Sequence, residues 1–229
     1  MSSYYLMAIA AHPDDTEFAI GGTVARLAGE GKDIIYVIAT DGSKGSNDPK
    51  MTPSRLVEIR KKEQRAAAKV LGVKEVVFLR HEDQGLEDTP KFRKEIVRIV
   101  RQYQPEIVAT SDPYARYVVQ HRDHRIIGRV VLDAIFPGAR DRLAYPDLLS
   151  EGFMPHKVKQ ALLWGASEPN YYSDITGTFD QKMKALRCHI SQVGHMIDLE
   201  SMMRQRNKKF AKDQLFEMAE TFHRIDMPK

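Results

Sequence analysis

Short apolar segments alternate with longer amphipathic segments along most of the chain. Each apolar run is rich in Val, Ile and Ala, and the stretch after it repeats its apolar residues at the spacing of a helix. The predicted strands and the helices that follow them are residues 4–10 with 22–30, 33–40 with 54–71, 75–79 with 91–104, and 106–110 with 123–136. This order predicts an α/β fold in three layers, with a mostly parallel sheet and helices on both faces.

Turn residues support these boundaries. Gly31 and Gly72 lie where helices are expected to end, and Pro105 precedes the fourth predicted strand. A fifth apolar run at 158–164 comes before a polar loop, and from about Thr178 we expect a long helical segment. With 229 residues, of which 42% are hydrophobic, we predict a single domain over residues 1–229.

Composition narrows the possible functions. The formal charge of +4 is spread along the chain, and the densest basic stretch, 204–209, is followed by Asp213 and Glu217, so we expect no nucleic-acid partner. No apolar run approaches the roughly 18 residues of a membrane span, and no basic region precedes the first one, so we expect a cytoplasmic protein without a membrane span. A single cysteine, Cys188, leaves any metal site to histidines and carboxylates.

The segment Ala11-His12-Pro13-Asp14-Asp15 follows the first apolar run and places an imidazole and two carboxylates at a strand end. A catalytic zinc ion takes about three protein ligands, and a free carboxylate nearby can accept a proton from water. His12, Asp14 and Asp15 could supply two ligands and a base. The same residues are equally compatible with a polar turn in which proline fixes φ and an aspartate caps the next helix.

A second motif, His121-Arg122-Asp123-His124, follows the fourth predicted strand. Parallel sheets bind ligands beyond the carboxyl ends of their strands, near the point between the first and fourth strands where strand order reverses. His121 and His124 are three residues apart and project from one face of a helix. The two motifs together indicate one metal and acid–base site, and the lack of Gly-x-Gly-x-x-Gly after the first strand disfavours dinucleotide binding.

These motifs, with others along nearly the whole chain, resemble the LmbE-like family, the N-acetylglucosaminyl-phosphatidylinositol de-N-acetylase (PIG-L) family of zinc-dependent deacetylases. The further matching segments are Glu17, Gly21-Gly22, Thr40-Asp41-Gly42, Arg60-x-x-Glu63, Leu71-Gly72-Val73, Lys182-x-x-Ala185-Leu186 and His189-x-Ser191-Gln192. The resemblance implies a Rossmann-like fold. It also implies hydrolysis of the N-acetyl group of an N-acetylglucosamine-type sugar or sugar conjugate, a small-molecule substrate.

By resemblance, His12, Asp15 and His124 are the zinc ligands, Asp14 is the general base and His121 faces the substrate carbonyl. A protonated His121 would then stabilise the oxyanion of the tetrahedral intermediate. Either Asp14 or His121 could protonate the leaving amine. The same two histidines and one carboxylate also bind Fe²⁺ or Co²⁺.

Three further residues have two interpretations each. Asp123 either orients an imidazole behind the metal or caps a helix start. Arg60 matches a substrate-binding arginine of the family, or it forms a salt bridge on its own helix with Glu58 or Glu63. Asp83 matches an aspartate near the sugar, or it is a solvated loop acid.

The chain departs from the family pattern at Arg122, where the family usually has proline, and this adds a cation beside the site. The loop 114–117 contains Tyr114 and Tyr117, which could stack on a sugar or pack between subunits, and we expect a homo-oligomer. Two other functions are compatible with the sequence. One is a metal-dependent phosphoester hydrolase, which tends to use two metals about 3.5–4 Å apart, whereas we count ligands for one. The other is a non-catalytic sugar-binding or assembly module.

Overall fold

The computed structural model describes residues 3–228, and seven strands within them form one sheet. The strands are β1 Leu6–Ala10, β2 Ile34–Thr40, β3 Glu75–His81, β4 Ile107–Ser111, β5 Gln160–Trp164, β6 Tyr171–Asp174 and β7 Ala219–Asp226. Their order is β3-β2-β1-β4-β5-β7-β6, parallel from β3 to β5 and antiparallel at β7 and β6. Strand order therefore reverses between β1 and β4, as predicted.

Eight α-helices accompany the strands in the described part of the chain. They are α1 Asp15–Gly29, α2 Pro53–Leu71, α3 Pro90–Tyr103, α4 Arg122–Asp133, α5 Pro146–Ser150, α6 Phe179–Leu186, α7 Ile190–Val193 and α8 Leu199–Phe210. The predicted three-layer α/β fold is confirmed. None of these helices combines the length and apolarity needed to cross a bilayer.

The central strands are buried on both faces, which explains their continuous apolar sequences. In β1, Leu6, Ala8 and Ala10 pack in one core with residues of α1, α2 and α6. Met7 and Ile9 point the other way and pack in a second core with α3 and α4. Successive side chains of a strand alternate between faces, so one short apolar strand packs against a helical layer on each face of the sheet.

Helix α1 begins earlier than predicted, at Asp15 and not at residue 22. The pair Gly21-Gly22 lies inside this helix. Gly22 is required there by close packing, because a Cβ on it would lie 2.7 Å from Cβ of Ile175. Helices α2 and α3 each begin with a Thr-Pro pair, and the side chains of Thr52 and Thr89 accept hydrogen bonds from backbone N–H groups of the first turn.

The C-terminal segment differs from the expected run of helix. Three helices, α6 to α8, are present, but the chain then returns as β7, which inserts between β5 and β6. Strand β7 mixes buried Ala219 and Phe222 with a fully buried Glu220, so it lacks the simple alternation that marks a half-buried strand. Its position depends on tertiary partners of Glu220.

Glu220 joins β7 to α1 and α6 through a buried ion pair. Its carboxylate lies 2.5 Å from the Lys182 ammonium and accepts hydrogen bonds from the backbone N–H groups of Gly22 (2.9 Å) and Thr23 (2.8 Å). The ammonium also donates to the carbonyl of Phe18, at 2.9 Å. Lys182 and Glu220 are 0% and 1% exposed, so each charge depends on the other for compensation.

Replacing Lys182 with methionine is expected to lower the free energy of unfolding by about 3–5 kcal/mol, because Glu220 then stays buried without its cation partner. Urea denaturation followed by circular dichroism measures the change. The control is Lys184→Met, an exposed position on the same helix, with an expected change within about 0.5 kcal/mol. Equal destabilisation by the two substitutions would contradict the role given to the ion pair.

Candidate active site

The two histidine motifs meet at the carboxyl ends of the neighbouring strands β1 and β4. His12 lies two residues beyond the last residue of β1, and His121 directly precedes α4. The ring centroids of His12 and His121 are 4.6 Å apart, and those of His12 and His124 are 5.2 Å apart. The fold thus brings together two segments that are separated by about a hundred residues, as the sequence predicts.

The metal-binding atoms of three residues form a compact triangle at the centre of this site. His12 Nδ1 lies 3.2 Å from His124 Nε2, which lies 3.1 Å from Asp15 Oδ1, and Asp15 Oδ2 lies 3.5 Å from His12 Nδ1. Ligands at about 2.1 Å from a tetrahedral zinc ion lie about 3.4 Å from each other. Two facing imidazole nitrogens beside a carboxylate also need a shared cation or proton between them. The residues present therefore fit one divalent metal ion.

The other nitrogen of His12 faces two further carboxylates. Nε2 lies 3.1 Å from Asp83 Oδ1 and 3.4 Å from Asp123 Oδ2. Asp83 also accepts a hydrogen bond from the backbone of Lys44 (3.0 Å), and Asp123 accepts one from the backbone of Gln84 (2.7 Å). Both acids are buried, so the structure does not support Asp83 as a solvated loop acid. Backbone hydrogen bonds hold both carboxylates in position to orient the imidazole.

The carboxylates around His12 strongly favour a positive charge on or beside its ring. Burial lowers the pKa of His12, but the carboxylates of Asp123, Asp15 and Asp83 outweigh this effect and raise the pKa to about 12. Burial raises the pKa of Asp15, and His124 and His12 oppose it so strongly that the pKa lies well below its usual range. The electrostatic environment therefore favours positive charge at the point where His12, Asp15 and His124 converge.

Asp14 is separated from these donors by an unusual backbone conformation. Its φ of 95° is left-handed, and its backbone N–H donates to Gln64 Oε1 at 2.9 Å. Asp14 makes no side-chain cap bond to α1, so the helix-cap interpretation does not hold. Burial raises the pKa of Asp14 to about 7, although Arg60 lowers it. A carboxylate of this kind can both accept and release a proton near neutral pH.

Arg60 stabilises the turn that contains Asp14. It is 4% exposed, and its guanidinium donates to the carbonyls of Pro13 (2.5 Å) and Gly42 (3.0 Å). Its Nη2 also lies 3.3 Å from Asp14 Oδ2. The structure thus pairs Arg60 with Asp14 across elements, and not with Glu58 or Glu63 on its own helix.

His121 occupies the cap position of α4 that the sequence offered to Asp123. Its Nδ1 accepts a hydrogen bond from the backbone N–H of Asp123 at 3.1 Å, while the Asp123 carboxylate faces His12. Burial lowers the pKa of His121, and the neighbouring His12 lowers it further. These contacts favour the neutral ring and not the protonated form expected from the sequence, and the neutral ring still carries a hydrogen on Nε2.

A chain of buried polar residues behind Asp14 was not identified from the sequence as functional. Gln64 Nε2 donates to Glu17 Oε1 at 2.9 Å, and Glu17 Oε2 lies 3.2 Å from His189 Nε2. All three side chains are 0% exposed. One signal was available, since Gln64 lies four residues after Arg60 and therefore on the same face of α2.

The site opens into a cavity of about 370 Å³. Its lining residues are His12, Asp14, Asp15, Lys44, Gly45, Arg60, Asp83, Gln84, His121 and His124. Arg122 is directed elsewhere, with its guanidinium on the backbone carbonyls of Gln84 and Leu86. Tyr114 and Tyr117 are exposed on the neighbouring loop. The groups suited to chemistry therefore face one open cavity.

Comparison with known proteins gives consistent matches. A model of the GlcNAc-PI de-N-acetylase (PIG-L) family matches residues 7–135. The diacetylchitobiose deacetylase of Thermococcus kodakarensis is 34% identical over 187 residues, which are 82% of this chain and 69% of that protein. A probable N-acetyl-alpha-D-glucosaminyl L-malate deacetylase 2 of Bacillus cereus is 29% identical over 201 residues, covering 85% of this chain and 86% of that protein.

A solved structure agrees with these matches. The N,N'-diacetylchitobiose deacetylase of Pyrococcus horikoshii, complexed with its inhibitor MPG, superposes with a TM-score of 0.92 at 30% identity. The alignment covers 98% of this chain and 84% of that one.

Proposed function

Because the chain belongs to the PIG-L (LmbE-like) family and is an N-deacetylase, we propose that it removes acetyl from an N-acetylglucosamine-type sugar or conjugate with the help of a zinc ion. The observation that carries this proposal is that the side chains of the adjacent residues Asp14 and Asp15 have different partners. Asp15 points to His12 and His124, whereas Asp14 is held apart by Gln64 and Arg60. These contacts support a metal-binding set with a separate base beside it.

His12, Asp15 and His124 would hold the ion, and Asp83 and Asp123 would fix the orientation of the His12 ring. When bound, a divalent cation supplies Lewis-acid activation of water and of the amide carbonyl. Zinc suits this set, as would Fe²⁺ or Co²⁺.

Asp14 is the proposed general base. Its carboxylate removes a proton from the attacking water and later delivers that proton to the nitrogen of the leaving amine. Arg60 keeps the carboxylate in place through the 3.3 Å ion pair. A pKa of about 7 suits both steps, because proton transfer in either direction then costs little near neutral pH.

His121 is the proposed donor to the oxyanion. Its Nδ1 is occupied by the Asp123 N–H, so the hydrogen of the neutral ring resides on Nε2 and is available to substrate. Such a preorganised donor typically contributes about 3–4 kcal/mol to transition-state stabilisation. In this arrangement Asp14, and not His121, protonates the leaving amine.

The geometry favours one metal over two. A second set of donors, from His12, Asp83, His121 and Asp123, also lies within 4.8 Å of one another. The two sets share His12, an imidazole, and have no bridging carboxylate of the kind that two-metal phosphoester hydrolases use. This argues against the phosphoester hydrolase alternative.

The cytoplasmic location and the homo-oligomer expected from the sequence stay predictions.

Purified protein is expected to hold about one zinc ion per chain and to release acetate from N-acetylglucosamine, diacetylchitobiose or N-acetylglucosaminyl malate. Fluorescent labelling of the new amine and enzymatic detection of acetate measure the same reaction independently. Chelation should abolish the activity and added zinc should restore it. Loss of phosphate from p-nitrophenyl phosphate, without acetate release from any sugar, would refute the proposal.

Replacing Gln64 with methionine is expected to lower kcat by up to about 100-fold with little change in zinc content. The substitution removes the acceptor that holds the Asp14 N–H in its left-handed conformation, whereas the zinc-binding side chains keep their partners. Steady-state kinetics and metal analysis measure the two effects. Gln205→Met on the exposed side of α8 is the control, and loss of zinc in parallel with kcat would argue against a role confined to Asp14.

A further inference from the structure

Glu17 lies in the first turn of α1, and its side chain is fully buried. A glutamate at this place in a helix commonly accepts a hydrogen bond from the backbone N–H of the cap residue, here Asp14. In this protein the Asp14 N–H donates to Gln64 Oε1 instead, at 2.9 Å, and Gln64 Nε2 donates to Glu17 Oε1, also at 2.9 Å. The Gln64 amide therefore lies between the start of α1 and the glutamate of its first turn.

The two neighbours of the Gln64 amide permit only one orientation of it. The Asp14 N–H can only donate a hydrogen bond, and the Glu17 carboxylate can only accept. If the amide turned by 180°, its NH₂ group would face the Asp14 N–H and its oxygen would face the carboxylate. Gln64 and Glu17 are both 0% exposed, so water cannot replace the two hydrogen bonds that would be lost. The Glu17 carboxylate thus selects the orientation in which Gln64 accepts from Asp14.

His189 contacts the second oxygen of the Glu17 carboxylate. Its Nε2 lies 3.2 Å from Glu17 Oε2, which also accepts a hydrogen bond from the Thr16 hydroxyl at 3.0 Å. Burial lowers the pKa of His189, but the hydrogen bond and the charge of Glu17 raise it by more, which favours a hydrogen on Nε2. His189 directly precedes α7 and lies beyond residue 135, where the family match ends. The C-terminal part of the chain therefore contacts the network that ends at the Asp14 backbone.

The Pro13–Asp14 peptide group is held at both of its polar atoms by helix α2. Arg60 donates to the Pro13 carbonyl at 2.5 Å, and Gln64, one helical turn later, accepts from the Asp14 N–H. The φ of 95° at Asp14 lies in the left-handed region, which residues with a Cβ adopt only when surrounding contacts impose it. Loss of the Gln64 contact would leave this peptide group free to rotate and would displace the Asp14 carboxylate.

We propose that Glu17 and His189 are positioning residues for Asp14. His189 holds the Glu17 carboxylate, the carboxylate fixes the Gln64 amide, and the amide fixes the backbone of Asp14. Neither residue touches the reacting atoms. The inference rests on the proposed deacetylation and extends it, because it assigns a role in the reaction to a residue of the C-terminal segment.

Glu17→Gln, alone and combined with Gln64→Glu, is the first test. The single substitution presents an amide to an amide, and we expect kcat for acetate release to fall by about 10–100-fold with KM within about twofold. The double substitution exchanges the donor and the acceptor of this contact, and the new carboxylate can still accept from the Asp14 N–H. It should therefore recover about tenfold or more of the loss. Recovery stays partial because the negative charge then lies nearer to the Asp14 carboxylate.

His189→Leu and His189→Gln are the second test, and they serve also if Glu17→Gln fails to fold. Leucine removes the donor to Glu17, whereas glutamine keeps an N–H group that can reach it. We expect kcat to fall by about tenfold in His189→Leu and to stay within about threefold in His189→Gln. Glu217→Gln, at an exposed position, is the control for loss of a carboxylate and should behave as the wild type.

Hydrogen exchange of the Asp14 amide, measured by mass spectrometry, monitors the same contact without turnover. Exchange should be about tenfold faster in Glu17→Gln and His189→Leu, and slower again in the double substitution. Unchanged kcat and exchange in Glu17→Gln, or no recovery in the double substitution, would overturn the proposal. Loss of zinc in parallel with kcat would also overturn it, since Glu17 would then act on the metal-binding residues. Failure of the proposed deacetylation is distinguishable, because the wild type would release no acetate while the exchange of the Asp14 amide would still respond to these substitutions.

Discussion

Asp14→Asn is expected to lower kcat by about 10²–10⁴-fold while zinc stays bound at about one ion per chain. Asparagine has nearly the same shape, so Gln64 can still accept from its backbone N–H and the left-handed turn is retained. The amide cannot take a proton from water, however. The expected loss is therefore one of proton transfer, with KM little changed because the ground-state contacts of the sugar are unaffected.

The measurement combines steady-state kinetics with metal analysis of the same preparation. Asp133→Asn, at an exposed position on α4, removes one carboxylate charge far from this chemistry and should leave kcat unchanged. Turnover of Asp14→Asn within tenfold of wild type, with metal bound, would assign the base to another residue. Loss of the metal in Asp14→Asn would indicate that Asp14 and Asp15 share the ion.

His124→Gln should have the complementary effect, in which zinc affinity falls by more than about 100-fold and activity is lost as the ion dissociates. His124 Nε2 lies within 3.2 Å of both remaining donor atoms, so its removal leaves only His12 and Asp15. Two ligands cannot complete a tetrahedral site of the kind that catalytic zinc requires.

The two substitutions are distinguished by added metal. Excess zinc should partly restore the activity of His124→Gln but have no effect on Asp14→Asn. His223→Gln, in β7 and remote from the triangle of donor atoms, is the control for loss of an imidazole. If His124→Gln retained a full complement of tightly bound zinc, the ion would have to lie on the other side of His12, among Asp83, His121 and Asp123.

The central parallel strands β1, β2 and β4 are predictable from sequence because they are buried on both faces and are mostly apolar. The same burial places His12 and His121 at adjacent strand ends, so the split site follows from topology alone. Strand β7 is not predictable in this way. It is stabilised by the contacts of Glu220 with α1 and Lys182, which come from residues nearly 200 and 38 positions away.

Within the site, the residue types indicate the chemistry, but the backbone conformation determines which side chain can bind a metal and which can act as a base. Nothing local distinguishes Asp14 from Asp15, and the φ of 95° that separates their side chains is held by Gln64 and Arg60 from α2. Of the two interpretations of Asp123, the contacts support the one in which it orients an imidazole, because His121 caps α4 by accepting from the Asp123 N–H and leaves the Asp123 carboxylate for His12. Such outcomes depend on tertiary distances that no sequence spacing specifies.

Buried contacts between the N-terminal and C-terminal parts of the chain also affect whether one part can fold without the other. The family match ends at residue 135, yet Glu17 faces His189 and the N–H groups of Gly22 and Thr23 are bonded to Glu220. A fragment cut at the end of that match would lose β5 and β7 from the sheet and leave Glu17 without its histidine. We therefore expect that the segment with every proposed zinc ligand does not fold by itself, and that recombination with an unrelated C-terminal segment would have to replace these buried partners.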